Sequence, residues 1–157
     1  MKNEIIKKIK EKFPDYILDS HAFRGDETLV IKKNHLLEIS SYLKNDLKFD
    51  FLMDLTAVDY HRATPRFEMV YHFYSLTANK RLRLKAPLDG PDFEIASLTA
   101  LWQGANWFER EVYDMFGIKF KNHPDLRRIL MYDTFEGHPL RKDYPLKKRQ
   151  PRIKHED

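Results

Sequence analysis

At 157 residues, with 42% apolar and 33% charged side chains, the chain has the length and composition of one soluble globular domain able to bury a core. It contains no cysteine, which excludes disulfides, zinc fingers, thiolate nucleophiles and the usual ligands of an iron–sulfur cluster. The formal charge is +4 but is unevenly placed: positions 119–157 hold eleven Lys/Arg against six Asp/Glu, so the basic excess belongs to the C-terminal quarter.

The first residues, MKNEIIKKIKEKF, alternate charge with isoleucine and lack the uninterrupted apolar core of a secretory signal, so a cytoplasmic address is expected. No apolar run anywhere approaches the ~20 residues of a spanning helix. In residues 3–13, Ile5, Ile6, Ile9 and Phe13 form one helical stripe, and Pro14 stops it. Residues 16–23 and 28–33 flank Arg24-Gly25-Asp26-Glu27 and predict a β-hairpin. Asn34 is placed to cap a second helix whose buried side is Leu36, Leu37, Ile39, Leu43 and Leu47.

Segments 49–60, 67–76 and 81–87 are separated by turn-forming HRATPR and TANK, which predicts a β-meander. In the middle segment Phe67, Met69, Tyr71 and Phe73 share one face. EIASLTALW (94–102) has the spacing of a short helix ended by Gly104, and a further helix is expected from Asn106, as its cap, to Gly117. After Phe120 four prolines and one helical-looking turn, DLRRILMY, leave a segment too poor in apolar residues to order itself alone. The expected architecture is therefore α+β: an antiparallel hairpin and meander sheet with helices packed on it. Residues 1–118 form the compact domain and 119–157 an extended basic arm.

Chemistry-bearing residues concentrate in WFEREVYDMFG (107–117). On a helical wheel Phe108, Val112, Met115 and Phe116 span an arc of about 100°, the width of a core-facing stripe. The other face then carries Trp107, Glu109, Arg110, Glu111, Tyr113 and Asp114, with Arg110 and Asp114 an exposed pair worth about 0.3–0.5 kcal/mol. A metal site would need a second carboxylate–histidine helix, and none is present. Acid–base catalysis by Glu109 or Glu111, as in a free-standing hydrolase, would need a pocket and a shifted pKa. Aromatic residues beside arginine instead fit a protein-binding surface.

The five glycines are too far apart for a dinucleotide or phosphate loop, no GxSxG occurs, and the seven histidines show no HxH, HxxxH or HExxH spacing. The basic arm could hold nucleic acid by counterion release, but it carries acids and no RNA- or DNA-binding module accompanies it. As a partner-wrapping arm it offers arginines and the apolar anchors Leu126, Ile129, Leu130, Phe135, Leu140 and Tyr144.

Taken together, ANWFEREVYDMFGIKF (105–120), HPDLRRILM (123–131) and GHPLRKDYP (137–145) resemble the signature of the 30-kDa-type subunit, also called the C subunit, of bacterial NADH–quinone oxidoreductase, respiratory complex I. The meander from 49 to 86, with LMDLTAVDY (52–60), looks like that family too, whereas Gln103 stands where it often has proline and the end after Pro145 follows no family pattern. The resemblance implies a peripheral-arm subunit on the cytoplasmic side of the inner membrane, attached through the complex and packed beside subunits D and B. It would bind no cofactor and no nucleic acid; FMN and iron–sulfur clusters would lie in partner subunits. The residues carried over are Glu109, Arg110, Glu111, Asp114 and Gly117, then His123, Pro124, Leu126, Arg127 and Arg128, then Pro139, Leu140, Arg141, Lys142, Asp143 and Tyr144. With Trp107 and Tyr113 they are expected to determine the fold and the partner interface, not to catalyse. Relatives in membrane-bound hydrogenases and in ferredoxin- or F420-linked complexes leave the electron donor open.

Overall fold

A computed structural model describes residues 4–90 and 92–151. Helix α1 (Glu4–Lys12) buries Ile6 and Ile9 and is followed by a short 3-10 turn that begins at Pro14, where the sequence places a stop. Strands β1 (Ile17–Phe23) and β2 (Asp26–Ile31) form the expected hairpin, but its loop is only Arg24 and Gly25. Both residues have positive φ, 53° and 93°, the conformation that matches a two-residue turn to the twist of its strands.

Helix α2 (Leu36–Asn45) buries Leu36, Ile39 and Leu43 as the periodicity predicts. Asn34 does not cap it. It lies inside a 3-10 turn (Lys33–His35) whose Lys33 carbonyl accepts the Leu36 N–H, leaving no orphan donor there for the asparagine side chain.

Strands β3 (Phe51–Asp59), β4 (Phe67–Ser75) and β5 (Lys80–Leu88) are the predicted antiparallel meander. The complete five-stranded sheet, ordered β1-β2-β5-β4-β3, is mixed, because β2 runs parallel to β5. The cause is connectivity. α2 is a helical crossover that sets β3 parallel to β2, and two reversals in the meander return β5 to that direction. Phe67, Met69, Tyr71 and Phe73 of β4 are fully buried, and Leu82, Leu84, Ala86 and Leu88 of β5 continue the same core.

Residues 94–102 are not a helix. Glu94–Ala96 form strand β6, which pairs in parallel with β7 (Lys119–Lys121), and residues 98–101 make one turn. Ile95, Leu98 and Trp102 are buried, as a helical stripe would be. However, the Ser97 hydroxyl and the Leu98 N–H both donate to the Glu109 carboxylate, at 2.7 and 2.6 Å. A side chain that captures backbone donors in this way competes with the helical ladder.

The last helix, α3, spans Ala105–Phe116 and ends at Gly117 in the left-handed conformation, with the Gly117 N–H on the Tyr113 carbonyl at 2.8 Å. Its N-cap is Gly104 rather than Asn106, which sits one residue inside the helix. Contacts such as Phe67–Phe116 and Phe73–Trp102, with ring centroids 6.3 and 5.0 Å apart, join the region to the sheet core. Among the described residues no helix is long and apolar enough to cross a membrane.

Candidate functional site

The charged face of α3 is divided: Trp107 and Glu111 are exposed, but its other charged groups are not. Glu109 and Asp114 are 0% exposed and Arg110 is 7% exposed, while Phe108, expected in the core stripe, is only partly buried. The wheel gives angles correctly but cannot show that a later segment covers the second face of the helix. That segment is the C-terminal arm.

Asp114 is the first anchor. Its Oδ2 accepts three consecutive backbone N–H groups, from Ile129, Leu130 and Met131 at 3.1, 2.8 and 2.9 Å. Its Oδ1 accepts Arg128 Nη1 at 2.6 Å. Three successive N–H groups aimed at one carboxylate form an anion nest. They cannot also donate within a helix, so the helical turn expected in DLRRILMY is absent. Burial alone would raise the Asp114 pKa, but these donors outweigh it and hold the carboxyl below its usual range.

The predicted Arg110–Asp114 pair does not form. Arg110 donates to the carbonyls of Arg127 and Arg128, each at 3.1 Å, and its guanidinium lies 5.2 Å from the Trp107 ring centre. Both charged residues are thus committed to the backbone of 127–131.

The second anchor is the C-terminal end of α3. A helix leaves its last four carbonyls without intrahelical donors. Here Gly117 N–H takes Tyr113, His138 Nδ1 takes Asp114 at 2.9 Å, Leu140 N–H takes Met115 at 3.1 Å, and Arg141 Nε takes Phe116. The signature GHPLRKDYP is therefore a cap supplied by the chain's own arm. Arg141 also sits 5.6 Å from the Phe67 ring centre and 6.0 Å from that of Phe93.

A Cβ at Gly117 would fall 2.5 Å from Arg141 Nη2 and from His138 Nε2, in a backbone of φ +72°. Gly117→Ala should therefore cost about 1–2 kcal/mol from the left-handed backbone alone and loosen the arm further. Limited trypsin digestion should cut the variant faster after Arg127 and Arg128; unchanged cleavage would contradict the cap.

The third anchor is Asp59, at the end of β3. It accepts Arg66 Nε and Nη2 at 3.0 and 2.9 Å, His61 N–H at 2.8 Å and Lys142 N–H at 2.8 Å. Arg66 reaches on to Asp143 at 2.8 Å. Burial works against ionisation, but Arg66 and the two backbone donors prevail, holding Asp59 well below the usual carboxylate range. Residue type and spacing give Asp59 and Arg66 no role of their own; the one signal is that Asp59 lies in the family-like stretch LMDLTAVDY.

Glu109 is different. Among the described residues no guanidinium or ammonium pairs with it: its partners are Ser97 and Leu98, and His123 Nε2 is 3.9 Å away. His123 Nδ1 accepts the Asp125 N–H at 3.0 Å, which leaves the Nε2 proton for the Asn106 carbonyl at 3.3 Å and keeps the ring neutral. Burial holds the imidazole's pKa below its usual value. Burial likewise raises the Glu109 pKa to about 7, only partly offset by its two hydrogen bonds. The Tyr71 hydroxyl is buried without a hydrogen-bond partner among the described residues, and its pKa is raised by burial and then by the nearby Glu109. A fully buried carboxyl cannot touch a substrate, so Glu109 is not a surface acid or base.

The remaining signature residues divide by exposure. Trp107, Glu111, Pro124, Arg127, Leu140, Lys142 and Asp143 are exposed; Tyr113, Leu126, Arg128, His138, Pro139 and Tyr144 are partly covered. Within the arm expected over 119–157, residues 123–145 follow their own domain, held by two carboxylates, Asp114 and Asp59, and by the capped helix end.

A buried helix flanked by its own returning arm, with its carboxylates turned to backbone donors, defines a self-capped structural α+β module. The family model of the respiratory-chain NADH dehydrogenase 30-kDa subunit matches residues 29–150. The NADH-quinone oxidoreductase C subunit of Citrifermentans bemidjiense is 54% identical over 144 residues, covering 92% of this chain and 89% of that one. Its counterpart in Geobacter sulfurreducens is 49% identical over 92% of this chain and 90% of its own. Among solved structures, the trypsin-resistant fragment of Nqo5 superposes with a TM-score of 0.70 at 30% identity, covering 80% of this chain and 100% of the fragment. A chain of an archaeal membrane-bound sulfane sulfur reductase has the same fold, with a TM-score of 0.79 at 24% identity over 92% of this chain and 86% of that one. The chain belongs to the 30-kDa subunit family of respiratory-chain NADH dehydrogenase.

Proposed function

We propose that this chain is the structural C subunit in the peripheral arm of an NADH–quinone oxidoreductase, packing beside subunits D and B on the cytoplasmic side of the inner membrane. FMN and the iron–sulfur clusters are held by its neighbours, and the chain itself binds none. Its task is to keep those neighbours in register, because a displacement of about 1 Å between reacting groups is costly even where the displaced residue does no chemistry.

The observation that carries this reading is how the signature is used. Glu109, Arg110, Asp114, His138 and Arg141 are consumed inside the chain. That leaves a rigid surface presenting Trp107, Leu130 and Leu140, which are 58%, 57% and 50% exposed. Large apolar groups held on a firm frame are what a permanent partner covers.

Tagged chain purified from membranes in mild detergent should bring subunits D and B with it, in a fraction that reduces quinone with NADH. Purification of the chain alone would overturn the assignment. Trp107→Ala should weaken retention of those subunits by about 2 kcal/mol, roughly 30-fold, as expected for an interface hot spot. Its effect on the isolated chain's stability should stay within about 1 kcal/mol, the value of the exposed cation–π contact with Arg110.

A further inference from the structure

Strand β1 is one edge of the five-stranded sheet and, among the described residues, pairs only with β2. Its sequence, ILDSHAF, has neither proline nor lysine and a single charge, Asp19, and its one register irregularity lies between Ile17 and Asp19, so the stretch after Asp19 lacks the usual protection of an exposed edge. From Asp19 to Phe23 it keeps continuous register with β2, presenting a straight row of backbone donors and acceptors on its free side.

The side chains add a second observation. Ser20 lies opposite Leu29, a core residue, so Ser20 and Ala22 point to the face on which α1 packs. Being small, they leave a trough of about 820 Å³ between β1 and α1, whose lining includes Ile6, the lysines Lys7 and Lys10 and the carboxylates Glu4 and Glu11. A second hollow of about 420 Å³ shares Lys10 and Ser20 and extends to Leu18. On the opposite face Phe23 is 65% exposed. Lys7 pairs with Glu11 at 3.8 Å, whereas Lys10 has no ion-pair partner among the described residues.

We propose that the free edge of β1 and the trough beside α1 form a docking site for one extended segment of a neighbouring subunit. The segment adds to the sheet as a sixth strand, fills the trough with bulky apolar side chains, covers Phe23 on the other face and sets a carboxylate against Lys10. Unpaired edge groups select an extended chain, and alternate side chains supply specificity. A second copy of this chain fits poorly. Its own β1 would offer only Ser20 and Ala22 to the trough, and two Lys10 side chains would face the same space.

This inference rests on the chain being a subunit of a larger complex. Hydrogen exchange on residues 19–23, compared between the isolated chain and the complex purified from membranes, tests it. About tenfold or greater added protection of the alternate amides on the free edge is expected in the complex. Ala22→Lys, at an exposed position, should lower retention in the complex about tenfold without changing the isolated chain's unfolding temperature. Co-purification with no added protection of β1, or full retention of Ala22→Lys, overturns the strand addition and leaves the subunit assignment standing. Protection that grows with concentration of the isolated chain means self-pairing and also overturns it. Failure to co-purify any subunit overturns both.

Discussion

Asp114→Ala is expected to cost about 3–5 kcal/mol of folding stability, the range for removing one partner of a buried, hydrogen-bonded ion pair. The carboxylate receives three backbone N–H groups and the Arg128 guanidinium, and it has no exposed surface. The alanine would leave all four donors without an acceptor under the arm. For a chain of this length the unfolding temperature should fall by roughly 10 °C. Arg128→Ala provides the comparison. It removes the bond to Oδ1 and the Nη2 bond to the Gly137 carbonyl at 3.0 Å, while the backbone donors keep Oδ2, so its cost should be nearer 1–3 kcal/mol. Thermal unfolding of the isolated chains at neutral pH measures both. Equal losses would mean that the ion pair, not the nest of N–H groups, holds the arm.

Glu109 should make stability fall as pH rises. Its carboxyl titrates near 4.5 when unfolded and at about 7 when folded. Between those values the unfolded chain binds fewer protons than the folded one. The stabilisation associated with protonated Glu109 is complete below pH 4.5 and lost as pH passes 7. A shift of that size corresponds to roughly 3 kcal/mol.

Other groups act in the opposite sense. Burial lowers the pKa values of His72, His123 and His138, so they favour the folded state as pH rises through the ordinary histidine range. The depressed carboxyls Asp59, Asp114 and Asp143 withdraw stability as pH falls below the usual aspartate value. The difference between wild type and Glu109→Gln isolates the glutamate. The substituted amide can keep the acceptor for Leu98 N–H and donate to Ser97. The two proteins should agree within about 1 kcal/mol at pH 4.5, and the variant should be the more stable by roughly 3 kcal/mol at pH 8. Denaturant unfolding across that range gives the comparison, and a difference independent of pH would show that Glu109 stays ionised in the fold.

Much of the architecture was legible because it depends on local pattern. The two-residue alternation of Phe67, Met69, Tyr71 and Phe73 identified the central strand's buried face, and Gly117 identified the end of α3. Local pattern misled where a distant group altered a local preference. Glu109 takes the Ser97 hydroxyl and the Leu98 N–H, so that only a single turn follows from Leu98, and Asp114 takes the N–H groups of residues 129–131 away from any helical turn. The parallel pairing of β2 with β5 follows from how a crossover and a meander combine, which no single segment encodes.

By itself the sequence determined most strands and helices, the lack of thiolate chemistry and the residues that carry the family signature, because each depends on residue type and near-neighbour spacing. Only the tertiary structure decided what those residues do. On the face of α3 that composition suggests is a solvated interface, Trp107 and Glu111 stay exposed but Arg110 and Asp114 are buried, because residues 123–145 return to supply acceptors and donors to them, to Asp59 and to the open carbonyls of the helix end. A buried carboxylate or carbonyl must find a donor, and that donor can come from any distance along the chain.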